Sequence, residues 1–187
     1  MKEKEIPKET FRYLLKNALR GKVDKQRALG DIYRMGLGLP KDFKRAFHWY
    51  QRAAENGDIK SQANLGYCYL SGKGTEVDYS KALKLITNAA EQGNKEASLM
   101  LGYCYFYGVG IDEDKHKAVR FLRNAENRNS SNGLLYWMLG ICSAEGYGGV
   151  KKDRAKAYEY FKKGAKFGYV EAQNILETFN QSELILK

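Results

Sequence analysis

The sequence predicts an all-α fold, a solenoid of helix-turn-helix repeats, and three observations predict it. Leu-Gly pairs recur at Leu29-Gly30, Leu65-Gly66, Leu101-Gly102 and Leu139-Gly140, with steps of 36, 36 and 38 residues between their glycines. Six residues beyond each of these glycines a Gly-x-Gly opens, at Gly36, Gly72, Gly108 and Gly146. An Asp then follows, at Asp42, Asp78, Asp114 and Asp153, each four residues ahead of an alanine (Ala46, Ala82, Ala118 and Ala157). The glycines end a helix by taking a left-handed backbone, and each Asp caps the next helix by accepting from its free N–H groups. A helix pair of this length cannot bury its apolar face alone, so neighbouring pairs must stack on a continuous core.

The elements follow in order. Residues 8–21 carry Phe11, Leu14, Ala18 and Gly21 at the spacing of Phe47, Tyr50, Ala54 and Gly57, and read as an orphan second helix that caps the N-terminal end. Four repeats come next, at 22–57, 58–93, 94–131 and 132–168, with an insertion at residues 127–133 across the junction of the last two. In each, small residues at fixed positions let helix backbones approach, and aromatic or aliphatic pairs such as Trp49-Tyr50 and Phe121-Leu122 fill the space between them. Residues 169–187 restart a first helix, but Glu177 stands where the glycine should be and no Gly-x-Gly follows, which reads as a C-terminal cap and tail. The expected total is ten helices in a single domain, without strands.

Ala-x-x-x-Leu-Gly-x-x-Tyr-x-x-Gly-x-Gly, nearly complete at residues 97–110 and continued by Lys-Ala and Ala-Ala-x-x-Gly, resembles the Sel-one-like repeat family, relatives of tetratricopeptide repeats. The resemblance spans essentially the whole chain and implies a right-handed α/α solenoid whose first helices line a concave face. It further implies a scaffold or adaptor that binds proteins, most often in bacteria, sometimes in host interaction or as the cognate immunity protein of a toxin. Departures are local: Ser61 replaces an Ala, and Ser143 replaces the Tyr of the fourth repeat.

At 100° per residue, Leu65, Cys68, Tyr69 and Gly72 share the core face of their helix. The opposite stripe should be polar if solvated. It holds Ala63, Tyr67 and Leu70 in the second repeat, Leu99, Tyr103 and Phe106 with Tyr107 in the third, and Trp137 and Ile141 in the fourth. The same positions are Arg27, Asp31 and Arg34 in the first repeat, and Asn174, Thr178 and Gln181 in the last helix. An apolar stripe that turns polar at both ends is expected to form a peptide- or helix-binding groove, with Arg27, Asp31 and Arg34 as charged contacts at one end. Two other readings compete with it: packing between repeats, and a fold-back of the tail Leu184-Ile185-Leu186 that fills part of the groove.

The 187 residues are 43% hydrophobic and 29% charged, with a net charge of +10, and the apolar runs are far too short to cross a bilayer. The N-terminal segment lacks a secretory pattern, so a cytoplasmic, monomeric protein is expected. Charge is uneven: 15 basic against 8 acidic residues in 1–60, 4 against 7 in 61–114, 12 against 4 in 115–170, and 1 against 3 beyond. Basic ends would steer in a partner with acidic segments. Single-stranded nucleic acid, held by aromatic platforms among Lys and Arg, is the weaker alternative.

No catalytic set emerges. His48 and His116 have no nucleophile at a matching spacing, and Cys68, Cys104 and Cys142 repeat one core position about 10 Å apart, too far for a disulfide and wrongly spaced for zinc. Gly66 to Lys73 misses the phosphate-loop spacing. A β-lactam-binding or hydrolysing activity, assigned to some bacterial relatives, lacks a Ser-x-x-Lys at a helix start here. The expectation is a non-enzymatic binding scaffold with neither cofactor nor metal.

Overall fold

The fold comes from a computed structural model that describes residues 6–126, 130–149 and 151–185, with residues 179–185 described by backbone alone. The start of the insertion at 127–129, the side chain of Gln181 and the Leu184-Ile185-Leu186 fold-back lie outside the described side chains. Ten helices and no strand are found among the described residues. The chain forms two compact units, Met1–Ala97 and Ser98–Lys187.

The first unit holds α1 (Lys8–Leu19), α2 (Val23–Met35), α3 (Phe43–Glu55), α4 (Ile59–Ser71) and α5 (Tyr79–Glu91). Its core gathers Leu29, Ile32 and Tyr33 of α2, Ala46, Trp49, Tyr50 and Ala54 of α3, and Leu65 and Cys68 of α4. The repeated Leu-Gly has a steric cause. A methyl on Gly30 would stand 2.5 Å from the Tyr50 ring, and one on Gly66 would stand 2.6 Å from Ile86, so each pair of helices closes over a missing side chain. Gly74 is stricter still: its φ is +82°, and a Cβ there would meet the Phe43 carbonyl oxygen at 2.1 Å.

The second unit holds α6 (Lys95–Tyr107, whose first three residues precede the boundary), α7 (Lys115–Ala125), α8 (Gly133–Glu145), α9 (Arg154–Lys166) and α10 (Val170–Ile185). Phe106, Val119, Leu122, Leu135, Tyr136, Met138 and Leu139 form its core. Close approach recurs here, with Gly102 against Leu122 at 2.8 Å and Gly140 against the Phe161 ring at 2.4 Å for an added Cβ.

The predicted caps are in place. Asp42, Asp78, Asp114 and Asp153 accept from the N–H three residues on, at 2.8–2.9 Å. First helices are capped too, by Asp58, Asn94 and Asn132, at 2.7, 2.8 and 3.0 Å. Each second-helix cap also donates its own N–H to the preceding first helix, as Asp42 does to Tyr33 O and Asp78 to Tyr69 O, which fixes the turn between the two. The cysteines are buried and free, and burial raises their thiols to about 11 (Cys68, Cys104) and 12 (Cys142), as packing residues require.

Candidate functional site

In the first unit the polar stripe of α2 is matched within the chain. Arg27 Nη1 donates to Asp58 Oδ2 at 2.8 Å, while the other oxygen of that carboxylate caps α4. The Tyr50 ring is fully buried, and its hydroxyl donates to Asp31 Oδ1 at 2.8 Å and accepts from Arg34 Nε at 3.0 Å. Burial first, then the Asp31 carboxylate, push that phenol above its ordinary range. Three of the residues expected at the polar end of a groove thus hold α2 to α3 and α4. On α4, Ala63 is 2% exposed and belongs to the interior, so its place on an open stripe is corrected. Tyr67 and Leu70 are half-buried, and the Tyr67 hydroxyl accepts from Lys73 Nζ at 2.7 Å.

In the second unit the stripe is aromatic. Leu99, Tyr103, Trp137 and Ile141 are half-buried against the core, and Tyr107 is 43% exposed. Phe106, at 5% exposure, is core and not surface, a second correction: it belongs to the buried cluster that holds Val119, Leu122 and Met138. The Tyr103 and Tyr107 rings lie 4.8 Å apart, and Trp137 lies 5.5 Å from Phe161 and 5.8 Å from Tyr169. Tyr169 joins both sets. Its phenol, near those of Tyr107 and Tyr103, is raised to about 12, by desolvation first and then by Tyr107, Glu171 and Tyr103. Gly133 admits it, since a Cβ there would meet Tyr169 Cβ at 2.8 Å, and Gly164 admits α10, since a Cβ there would meet Ala172 Cβ at 3.0 Å.

Tyr169 is the member of this aromatic cluster that stripe reasoning misses, because it lies in the turn before α10. A signal exists. Asp58 and Asn94 follow the glycines that end second helices, and after Gly168 that cap position carries Tyr169 instead.

Both histidines have neighbours within the fold. His116 Nδ1 accepts from the Gly148 N–H at 3.1 Å, and His48 stands edge-on to Trp49. Among the described residues no group of His, Cys, Asp and Glu could hold a metal ion, and no helix is long and apolar enough to cross a membrane.

Comparison with known proteins places this architecture. A Sel1 repeat protein from Oxalobacter formigenes shares 31% identity over 90% of this chain and 67% of its own, with a TM-score of 0.73. The Escherichia coli protein c5321, a protective antigen of uropathogenic strains with an SLR fold, shares 29% identity over 94% of this chain, with a TM-score of 0.74. This chain spans only 37% of that protein's length. A Klebsiella pneumoniae sel1 repeat protein, at 19% identity and a TM-score of 0.58 over 90% of this chain and 83% of its own, shares the fold. No curated protein matches the sequence. The Sel1 repeat itself matches four times, at residues 26–58, 59–94, 95–130 and 135–169, and the chain therefore belongs to the Sel1 repeat family.

Proposed function

We propose that this protein is a non-enzymatic binding scaffold and that the tyrosine-rich face of its second unit receives a protein or peptide partner. Leu99, Tyr103, Tyr107, Trp137, Ile141 and Tyr169 form that face. The observation that carries the reading is the Tyr103, Tyr107 and Tyr169 cluster beside Trp137: rigid rings, half-buried at their base, that offer phenol groups to a ligand. Such rings give large contact area for little lost side-chain freedom, which is why Tyr and Trp dominate binding hot spots. The basic excess of residues 115–170 favours a partner with acidic segments. In α2, by contrast, Arg27 and Arg34 are engaged by the chain's own groups, so we assign them to the fold.

Affinity capture of partners with wild type, Tyr107→Ala and a Tyr103→Ala/Trp137→Ala pair, each checked for unchanged helical content, tests this. Specific proteins held by wild type and lost with Tyr107→Ala support it. Identical capture by all three sinks it.

A further inference from the structure

The fourth repeat lacks a tyrosine that the other three share, and a cationic cavity opens there. In the first three repeats a tyrosine near the end of the first helix is covered by a basic residue of the second. Arg45 lies 5.4 Å from the Tyr33 ring, Lys81 5.4 Å from Tyr69, and Lys117 5.6 Å from Tyr105. Each of these cations also pairs with the capping Asp, at 3.3, 3.0 and 3.2 Å. In the fourth repeat the tyrosine is Ser143 and the cation is Lys156. The anchor of the turn is kept, for Asp153 donates its N–H to Ser143 O at 2.9 Å as Asp42 does to Tyr33 O, although the turn from Gly146 to Asp153 is one residue longer than in the other repeats.

A cavity of about 480 Å³ occupies this place, in the size range of small-molecule sites. Arg123 of α7, Lys151 and Lys152 of the turn, and Arg154 and Lys156 of α9 face it, against the single carboxylate of Asp153. Lys152 is paired with Glu145 at 3.0 Å, while Arg123 and Lys156 have no ion pair among the described residues. Ser143 also lines the cavity. It is 8% exposed, and its hydroxyl has no hydrogen-bond partner among the described residues. That hydroxyl opens onto the cavity, where a ligand can meet it. The N-terminus of α9 adds the positive end of a helix dipole.

We propose that this cavity is a binding site for a compact polyvalent oxyanion, a diphosphate group, with Lys156 and Arg123 as charge partners and the Ser143 hydroxyl as donor. Several converging cations call for more than one negative charge, and the limited volume of this open cavity calls for a small group. The site is independent of the aromatic face, and either reading can fail alone.

Titration calorimetry with sodium pyrophosphate and with ADP, at an ionic strength held constant with sodium chloride, tests it on the intact chain. Wild type should bind at least one of them saturably with one site; ADP alone or in preference would mean that a nucleotide carries the diphosphate, pyrophosphate alone that the ion is free. Ser143→Tyr restores the residue of the other three repeats and should fold normally while binding at least tenfold more weakly. Lys156→Gln should lose a similar factor, and Lys117→Gln, its counterpart beneath an intact tyrosine, should lose none. Ser143→Ala, which keeps the cavity, should weaken binding a few-fold. No saturable binding by wild type, or equal binding by wild type, Ser143→Tyr and Lys156→Gln, would overturn the proposal.

Discussion

The first helices α2 and α6 occupy the same place in their repeats and carry opposite surfaces. In α2 the outward stripe is Arg27, Asp31 and Arg34, closed by Asp58 and the buried Tyr50 hydroxyl into a network that leaves no charge of the stripe unmatched. In α6 the same stripe is Leu99, Tyr103 and Phe106, and only Phe106 is fully committed to the core. Both helices keep the Leu-Gly pair and the glycine at the C-terminus. Backbone geometry is thus set by glycines, alanines and caps, which leaves the stripe free to serve either stability or recognition.

Substitutions can break or sharpen this contrast. The largest effect is expected from Trp137→Ala, which removes contacts to both Phe161 and Tyr169 and should cost about 2–4 kcal/mol in a urea melt, somewhat less than a fully buried Trp. Tyr107→Ala should be the cleaner probe of function. Its ring is 43% exposed, so stability should change by less than about 1 kcal/mol while partner affinity falls about 30-fold, the size of a hot-spot loss. A fall in stability with no change in affinity would place Tyr107 with the packing residues.

Tyr50→Phe makes the reverse prediction for the first unit. Loss of the hydroxyl leaves Asp31 and Arg34 without their shared partner and should cost about 1–2 kcal/mol, with partner binding unaffected.

The smallest effect lies in the caps, where the two units should behave alike. Backbone N–H groups, chiefly that of Lys81 for Asp78 and that of Lys117 for Asp114, hold both carboxyls below the ordinary value of 3.8. Their contribution to stability is therefore fully present above about pH 4 and is lost as pH falls through the lower folded-state value. Asp78→Asn and Asp114→Asn should each flatten the acid limb of the stability curve slightly, and by similar amounts. A much larger change for Asp114→Asn would show that the units differ in their caps as well as in their stripes.

The repeat register was legible because its cause is local and steric: Gly30, Gly66, Gly102 and Gly140 each sit where a side chain would collide with the second helix. The caps on the second helices were legible for the same reason, whereas Asn94 and Asn132 are visible only once every helix start is inspected. The stripe was legible only in part. A helical wheel places Ala63 and Phe106 beside Tyr67 and Tyr103, but it has no term for the depth of a neighbouring helix, and both residues are buried. Tyr169 escaped because a turn residue has no place on a wheel. The polar network of α2 escaped because Tyr50 reaches Asp31 and Arg34 from another helix, through a hydroxyl at the end of a ring that otherwise reads as core.

The most direct test of the central claim is a side-by-side affinity measurement of wild type, Tyr107→Ala and Arg34→Ala against a captured partner, with thermal unfolding followed on the same samples. The account predicts that Tyr107→Ala binds about 30-fold more weakly at near-native stability, and that Arg34→Ala binds like wild type while melting earlier. Binding lost with Arg34→Ala and kept with Tyr107→Ala would contradict it, and would move recognition to the first unit.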